Sequence, residues 1–291
     1  MEAPEPSADA FSHEIRMPAT WASGVIVCSP HSGRAFPDWF LAETTLDLAV
    51  LRSSEDALMD HLIRPALDAG AATLVARLPR SIVDLNRSAH DLDPAAVEGV
   101  RARPVSARAL AGLGVIPRVV GGGRAIRARP LPLAEAERRI DRYWRPYHQT
   151  LRMLIEQARA RFGWAIVIDM HSMPPDALAH LLPPRPEVVI GDRHGASSGA
   201  GLREQVFGLF RQEGFRLRLN APFSGAYVAQ AYGRPTQGVH VLQIEIDRAL
   251  YLDARRMLPS AGYDALAGRL GRVLARAAHL QPARSAGLAA E

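Results

Sequence analysis

The run A-I-V-I-D-M-H-S at residues 165–172 decides the reading of the fold. Four apolar residues lead into Asp169, Met170, His171 and Ser172. An unbroken apolar run of this length suits a strand covered on both faces, as in a parallel sheet. A carboxylate, an imidazole and a hydroxyl then follow where the strand leaves its layer. A strand end that meets solvent accounts for such residues by itself. They acquire chemical meaning only if other strands of the chain end in matching groups.

Working outward, G-V-I-V-C-S-P (24–30), A-T-L-V-A-R-L-P (72–79), S-I-V-D-L-N (81–86), E-V-V-I-G (187–191), a stretch near 215–220 and V-H-V-L-Q-I-E-I (239–246) read as further strands. Helical patterns lie between them. Residues 38–68 read mostly as helix in two pieces, and others lie near 197–213 and 260–279. Over 132–161, Ile140, Tyr143, Tyr147, Leu151 and Leu154 recur at spacings of three and four. That is the period of a helix with one buried face. The alternation predicts an α/β fold of three layers, with a mixed, mostly parallel sheet and helices on both faces. Ligands of such sheets sit beyond the carboxyl ends of the strands. A single domain is expected over 15–280, with disordered tails at 1–14 and 281–291. The segment 88–131, rich in Arg, Ala, Pro and Gly, reads as a long flexible excursion. Its G-G-G-R (121–124) lacks the Lys-Ser/Thr ending of a phosphate loop and a strand before it.

The composition narrows the class. No apolar run approaches the roughly 20 residues that span a bilayer. The opening M-E-A-P-E-P-S-A-D-A has no basic region followed by an apolar one, so no secretory signal is read. The single cysteine, Cys28, cannot form an internal disulfide and argues against a thiolate metal cluster. The net charge is +5, yet the chain has no lysine: all 35 basic residues are arginine. They are scattered among acids, as in A-E-A-E-R-R-I-D-R (134–142). This reads as the codon usage of a GC-rich genome rather than a nucleic-acid surface. A cytoplasmic enzyme acting on a small molecule is expected, with neither nucleic acid nor membrane as partner.

The strand ends do carry matching chemistry. His31 follows the first strand, Asn86 and Arg87 follow 81–85, and His171 ends the central run. Glu245 lies late in 239–246 with Asp247 after it, and S-S-E-D (53–56) adds Glu55 and Asp56 at a helix start. Two histidines and a carboxylate are a common ligand set for catalytic zinc, with a position left for water. A further carboxylate can then take the proton of that water, which gives Glu245 a role. A carboxylate inside an apolar strand is expensive unless paired, so Glu245 is the most telling of these residues. Arg87 suits a substrate carboxylate, because guanidinium is always charged and binds bidentately. His194 is a further candidate for the pocket, whereas His148 reads as packing or capping. His240, five residues before Glu245, points to the opposite face of the strand.

Taken in order, S-P-H-S-G, S-E-D-x-x-x-D, V-D-L-N-R, Y-x-x-P-Y-H, D-M-H-S-M, G-D-R-H-G, N-x-P-F-S-G-A-Y and L-Q-I-E-I-D-R-x-L-Y resemble the N-formylglutamate amidohydrolase family over about 24–253. The resemblance implies a zinc-dependent exopeptidase-like (phosphorylase/hydrolase-like) fold, shared with metallocarboxypeptidases and aspartoacylases. It also implies a bacterial, cytoplasmic enzyme of histidine degradation. His31 and His171 are similar to the two zinc-binding histidines and Glu245 to the general base. Asn86 and Arg87 resemble the pair that holds substrate carboxylate and carbonyl groups. The H-x-x-E spacing of the relatives would place a glutamate at 34, where this chain has Arg34. The third ligand is therefore expected from Asp56, with Glu55 as second choice. The implied reaction is zinc-assisted hydrolysis of N-formyl-L-glutamate to formate and L-glutamate. Arg80 or Arg87 would polarise the formyl oxygen. Arg87, Asn86 and Arg234 would hold the carboxylates, and Asn220, Ser224 and Tyr227 would line the opposite wall. Ser172 reads as a hydrogen bonder and not a nucleophile, because no G-x-S-x-G elbow surrounds it. The rivals are an amidase of the same fold acting on another N-acyl amino acid or a cell-wall peptide, and a non-catalytic binding protein.

Overall fold

The computed structural model describes residues 12–100 and 104–282. Its centre is a seven-stranded sheet formed by β1 (His13–Arg16), β2 (Val25–Ser29), β3 (Ala72–Ala76), β4 (Ala165–Met173), β5 (Val188–Gly191), β6 (Leu217–Leu219) and β7 (Val239–Asp247). The spatial order is β1-β3-β2-β4-β7-β5-β6. The pairs β2/β3, β2/β4, β4/β7 and β5/β6 are parallel; β1/β3 and β7/β5 are antiparallel.

Alternation along the strands sends side chains into two separate cores. Ile26, Cys28, Val167 and Val241 face one side, where they meet Tyr147, Leu151 and Leu154 of the helix Arg145–Phe162. Val25, Val27, Ile166, Ile168 and Ile244 face the other, against the helices Ala200–Gln212 and Tyr263–Ala277. Covered faces on both sides explain why the central strands show no polar alternation. The expected three-layer, mostly parallel architecture is present.

The same alternation positions the chemistry. Glu245 of β7 pairs in register with His171 of β4, and Gln243 with Asp169. All four are odd-numbered, as are Val167 and Val241, so they share one face of the sheet. β2, β4 and β7 run parallel, and His31 lies two residues beyond the end of β2. Gly33 fixes the path of that loop: a Cβ there would lie 2.0 Å from the Leu78 carbonyl oxygen. Only a glycine lets the two backbones approach this closely.

Several expectations need correction. Residues 81–86 form turns and not a strand. β3 is already flanked by β1 and β2, so neither side of β3 is open to them. Their backbone is satisfied elsewhere, with Asp84 N donating to Val115 O at 2.9 Å and His148 Nε2 bonding Leu85 O at 2.9 Å. The stretch 38–68 breaks into the short helices Asp38–Glu43, Leu48–Leu51, Met59–Leu62 and Arg64–Asp68. Helix stops at Glu55, which is extended, so that the Asp56 N–H can donate to His31 O at 3.0 Å. The segment 88–131 is packed where it is described. It holds a parallel pair Val97–Glu98/Leu131–Pro132 and a small hairpin Val119–Val120/Arg124–Ala125, whose tip is Gly121–Gly123. It buries Val97, Val115, Ile116 and Ile126 in the first core. Strand β1 begins within the stretch read as an N-terminal tail; residues 1–11, 101–103 and 283–291 lie outside the described residues.

Candidate active site

Beyond the carboxyl ends of β2, β4 and β7 opens a cavity of about 960 Å³, with His31, Asp56, His171 and Glu245 in its wall. One donor atom from each of His31, Asp56 and His171 lies within 4.8 Å of the others, and all three residues are buried. Asp56 Oδ2 is 3.0 Å from His171 Nδ1 and 3.4 Å from His31 Nδ1.

Each imidazole is held from behind by a carboxylate. His31 Nε2 lies 2.8 Å from Asp84 Oδ1. The N–H therefore sits on Nε2, and the Nδ1 lone pair is left facing Asp56. That Nδ1 is buried without a hydrogen-bond partner. His171 Nε2 lies 3.0 Å from Asp169 Oδ2 and 2.9 Å from Asn86 Nδ2. Asn86 Oδ1 accepts the Val228 N–H at 2.7 Å, so its NH2 group faces this side. Asp169 is then the acceptor for a His171 Nε2–H, and Nδ1 turns towards Asp56. Carboxylate-backed imidazoles in a fixed tautomer are characteristic of metal-ligating histidines.

The electrostatics agree. Burial works against charge on Asp56, but the adjoining His171 and His31 imidazoles and the charge of Arg248 hold its carboxyl well below the ordinary range. Burial also disfavours a charged His171, yet Asp169, Asp56 and Glu245 outweigh it and draw the imidazole well above its usual value. The same surrounding carboxylates that favour a proton here would also favour a bound cation in its place. The orphaned Nδ1, the converging donors and the acidic surroundings all fit a divalent metal with nitrogen and oxygen ligands.

Asp56 Oδ1, the other oxygen, accepts from Ser172 Oγ at 3.0 Å and from Arg248 Nη2 at 2.9 Å. Arg248 also donates to Ser172 Oγ at 2.9 Å and to Ser53 O at 3.0 Å. Glu245 stands beside the cluster, with Oε1 accepting from Gln243 Nε2 at 2.8 Å. Gln243 is oriented in turn by the Ala226 N–H, 2.7 Å from its Oε1. Burial raises the Glu245 carboxyl to about 7, with Asp56 adding to the shift and His171, Arg80 and Arg248 opposing it. A carboxylate poised near neutrality is suited to taking and returning a proton.

The remaining sequence candidates divide. Arg80, Arg87, Ser224 and Tyr227 line the cavity. Arg80 Nη2 is paired with Asp84 Oδ2 at 2.6 Å, and Arg87 is anchored through Nε to Leu113 O at 2.9 Å. Asn86 reaches the cavity, but its amide is engaged by Asp169, His171 and Val228. It braces the imidazole instead of offering itself to a ligand. Asn220 and Arg234 are not among the cavity residues. Asn220 Nδ2 donates to Asp192 Oδ1 at 2.7 Å, and Arg234 folds back on the carbonyls of Gln230 and Gly233. His194 also lies outside the wall. Glu55 turns away from the cluster to Arg52, 3.1 Å away. Arg34 makes a two-pronged pair with Asp60 at 3.0 and 3.1 Å. Asp84, Gln243 and Arg248 were not singled out from the sequence. Asp169 carried a usable signal, a carboxylate inside an apolar run, which is the argument applied to Glu245.

A mostly parallel three-layer sheet with this cluster at its carboxyl edge marks an α/β enzyme with a candidate metal site. The chain matches the family model of N-formylglutamate amidohydrolase over residues 23–252. It is 28% identical to an N-formylglutamate deformylase of Pseudomonas putida, over 83% of this chain and 84% of that protein. It is 32% identical to one of Pseudomonas aeruginosa, over 65% of this chain and 67% of that protein. A solved N-formylglutamate amidohydrolase from Ralstonia eutropha JMP134 superposes with a TM-score of 0.85 at 33% identity, covering 92% of this chain and 97% of that one. The chain belongs to the N-formylglutamate amidohydrolase family. It is an amidohydrolase, and the reading as a non-catalytic binding protein is set aside.

Proposed function

We propose that the protein hydrolyses the formyl amide of N-formyl-L-glutamate, giving formate and L-glutamate, with one zinc ion held by His31, Asp56 and His171. The observation that carries this reading is the placement of Glu245 beside the His–Asp–His cluster, in register with His171. The names of the Pseudomonas and Ralstonia relatives support the substrate. The single Cys28 is buried and free, in keeping with a cytoplasmic setting.

A divalent ion at this position supplies Lewis acidity and lowers the pKa of water. The chain supplies the rest. Glu245, with one oxygen fixed by Gln243, accepts the proton of the attacking water as its oxygen bonds to the formyl carbon. It returns that proton to the nitrogen as the C–N bond breaks, so the amine leaves neutral. Arg80, immobilised on Asp84, is the cavity cation that faces charge developing on the carbonyl oxygen. Arg87 holds the α-carboxylate, while Ser224 and Tyr227 form the facing wall. Asp84, Asp169, Asn86 and Arg248 keep the imidazoles and Asp56 in position.

A cavity of about 960 Å³ favours one second reading, an N-acyl amino acid with a larger acyl group or side chain. It stands near the upper end of the roughly 300–1,000 Å³ usual for small-molecule sites. Formate release from N-formyl-L-glutamate by zinc-loaded protein tests the first reading. No formate, with turnover of N-acetyl or longer N-acyl amino acids in the same panel, would transfer the assignment to the second.

A further inference from the structure

Five arginines line the cavity: Arg80, Arg87, Arg108, Arg193 and Arg248. Two are answered by acids within the wall, Arg80 by Asp84 and Arg248 by Asp56. Asp91, also in the wall, is engaged by the N–H and hydroxyl of Ser106 at 2.9 and 2.6 Å. Arg87 is bound only to main-chain carbonyls. Its pKa is lowered by burial, opposed by Asp84, with Arg80 and Arg108 lowering it further. Arg108 contacts Phe223, its guanidinium carbon 5.7 Å from the ring centre. The Arg193 guanidinium meets no acid or carbonyl among the described residues. Among the described residues, three guanidinium groups of one cavity thus lack a carboxylate, more than a single α-carboxylate can satisfy.

Arg193 is also the most deliberately placed. Its φ is 53°, and that of His194 is 58°. Two consecutive residues without glycine in the left-handed region are uncommon and have to be held there by their surroundings. The Arg193 N–H donates to Ser224 O at 2.6 Å, and the Asp192 N–H to Asn220 Oδ1 at 3.0 Å. Gly225 leaves room for the side chain, since a Cβ there would lie 2.9 Å from Arg193 Cγ. The stem of Arg193 is therefore laid across the Ser224–Gly225 turn, which itself lines the cavity.

We infer that Arg193, with Arg108 beside Phe223, binds a second carboxylate of the substrate and makes the enzyme selective for an acidic side chain. The inference rests on the proposed N-acyl amino acid reading and deepens it by naming what distinguishes glutamate from its neutral analogues. A site built to pair a charged group rejects the analogue lacking it, because the guanidinium is left unanswered.

The test compares N-formyl-L-glutamate with N-formyl-L-glutamine in wild type, Arg193→Ala, Arg193→Lys and Arg108→Ala. Wild type should prefer glutamate. Arg193→Ala should lower kcat/KM on the glutamate substrate by roughly 10–100-fold, mostly through KM, and leave the glutamine substrate within threefold. Arg193→Lys should recover part of the loss and Arg108→Ala should show a smaller one. Equal loss on both substrates would reveal a merely structural role and overturn the inference. Calorimetric binding of L-glutamate and L-glutamine to the same proteins provides a readout independent of turnover. If wild type hydrolyses neither formyl compound, the proposed reaction fails. The inference still stands if glutamate binds at least tenfold tighter than glutamine and Arg193→Ala abolishes that gap. No glutamate preference in turnover or binding overturns it.

Discussion

Replacing Asp84 by asparagine probes the tautomer of His31 with almost no change in volume. Asp84 Oδ1 receives His31 Nε2 at 2.8 Å and the Asn86 N–H at 2.9 Å, while Oδ2 receives Arg80 Nη2 at 2.6 Å. Every one of these partners presents a hydrogen. Asparagine keeps one oxygen and substitutes an NH2 group for the other. If its oxygen stays with His31, the NH2 group meets the Arg80 guanidinium, donor against donor. If the amide turns over, the NH2 group faces His31 Nε2, and the ring proton moves to Nδ1, where the metal ligand lone pair should be. Removing an outer carboxylate of this type weakens metal binding by roughly 10–100-fold. That corresponds to about 1.4–2.8 kcal/mol. Competition with a chromophoric chelator at neutral pH measures the zinc Kd, and circular dichroism confirms the fold. The expected Kd is 10–100 times that of wild type. A folded Asp84→Asn protein with a zinc Kd within twofold of wild type would refute the assignment of His31 Nδ1 as a ligand atom.

Arg248→Met should leave Asp56 without its buried cation, at a cost of about 3–5 kcal/mol, because the residue is 7% exposed and bonded to Asp56, Ser172 and Ser53. Metal-free protein should melt roughly 6–20 °C lower. Zinc should restore part of the difference, and an unchanged Tm would contradict the pairing. Glu55 is 1% exposed, and burial raises its carboxyl to about 7 from an ordinary 4.5 against the pull of Arg52, Arg34 and Arg248. The folded state then binds the proton more tightly than the unfolded chain. The protonated form favours folding below pH 4.5, and that contribution is lost as the pH rises through 7. Urea unfolding should show Glu55→Gln gaining on wild type by about 3 kcal/mol between pH 4 and pH 8. A stability difference that does not vary with pH would rule this out.

The sheet was legible because burial on both faces leaves its mark in the residues themselves. Apolar runs at 25–29, 72–76, 165–168 and 239–246 correspond to the core strands. β1 was hidden because H-E-I-R at an edge carries no apolar run. Residues 81–86 mimic a strand in composition, since I-V-D-L is buried as deeply, but β3 before them is already paired on both sides. At the site, His31, His171 and Glu245 could be found from their place at strand ends. The carboxylate behind His31 and the cation on Asp56 could not be assigned to their partners, because Asp84 and His31 are 53 residues apart and Arg248 and Asp56 are 192 apart. Such pairings depend on tertiary contact. Asn220, taken from the N-x-P-F-S-G-A-Y motif, braces the Asp192 loop, and Arg234 folds back on a helix end.

The central claim is that His31, Asp56 and His171 hold one metal ion and Glu245 moves the proton beside it. Metal stoichiometry of zinc-equilibrated, dialysed protein, read alongside formate release, tests it most directly. Wild type and Glu245→Gln should each retain one equivalent of zinc, with Glu245→Gln slowed by roughly 10²–10⁴-fold, and His171→Ala should retain none. Full zinc and full turnover in His171→Ala, or unimpaired turnover in Glu245→Gln, would contradict the account.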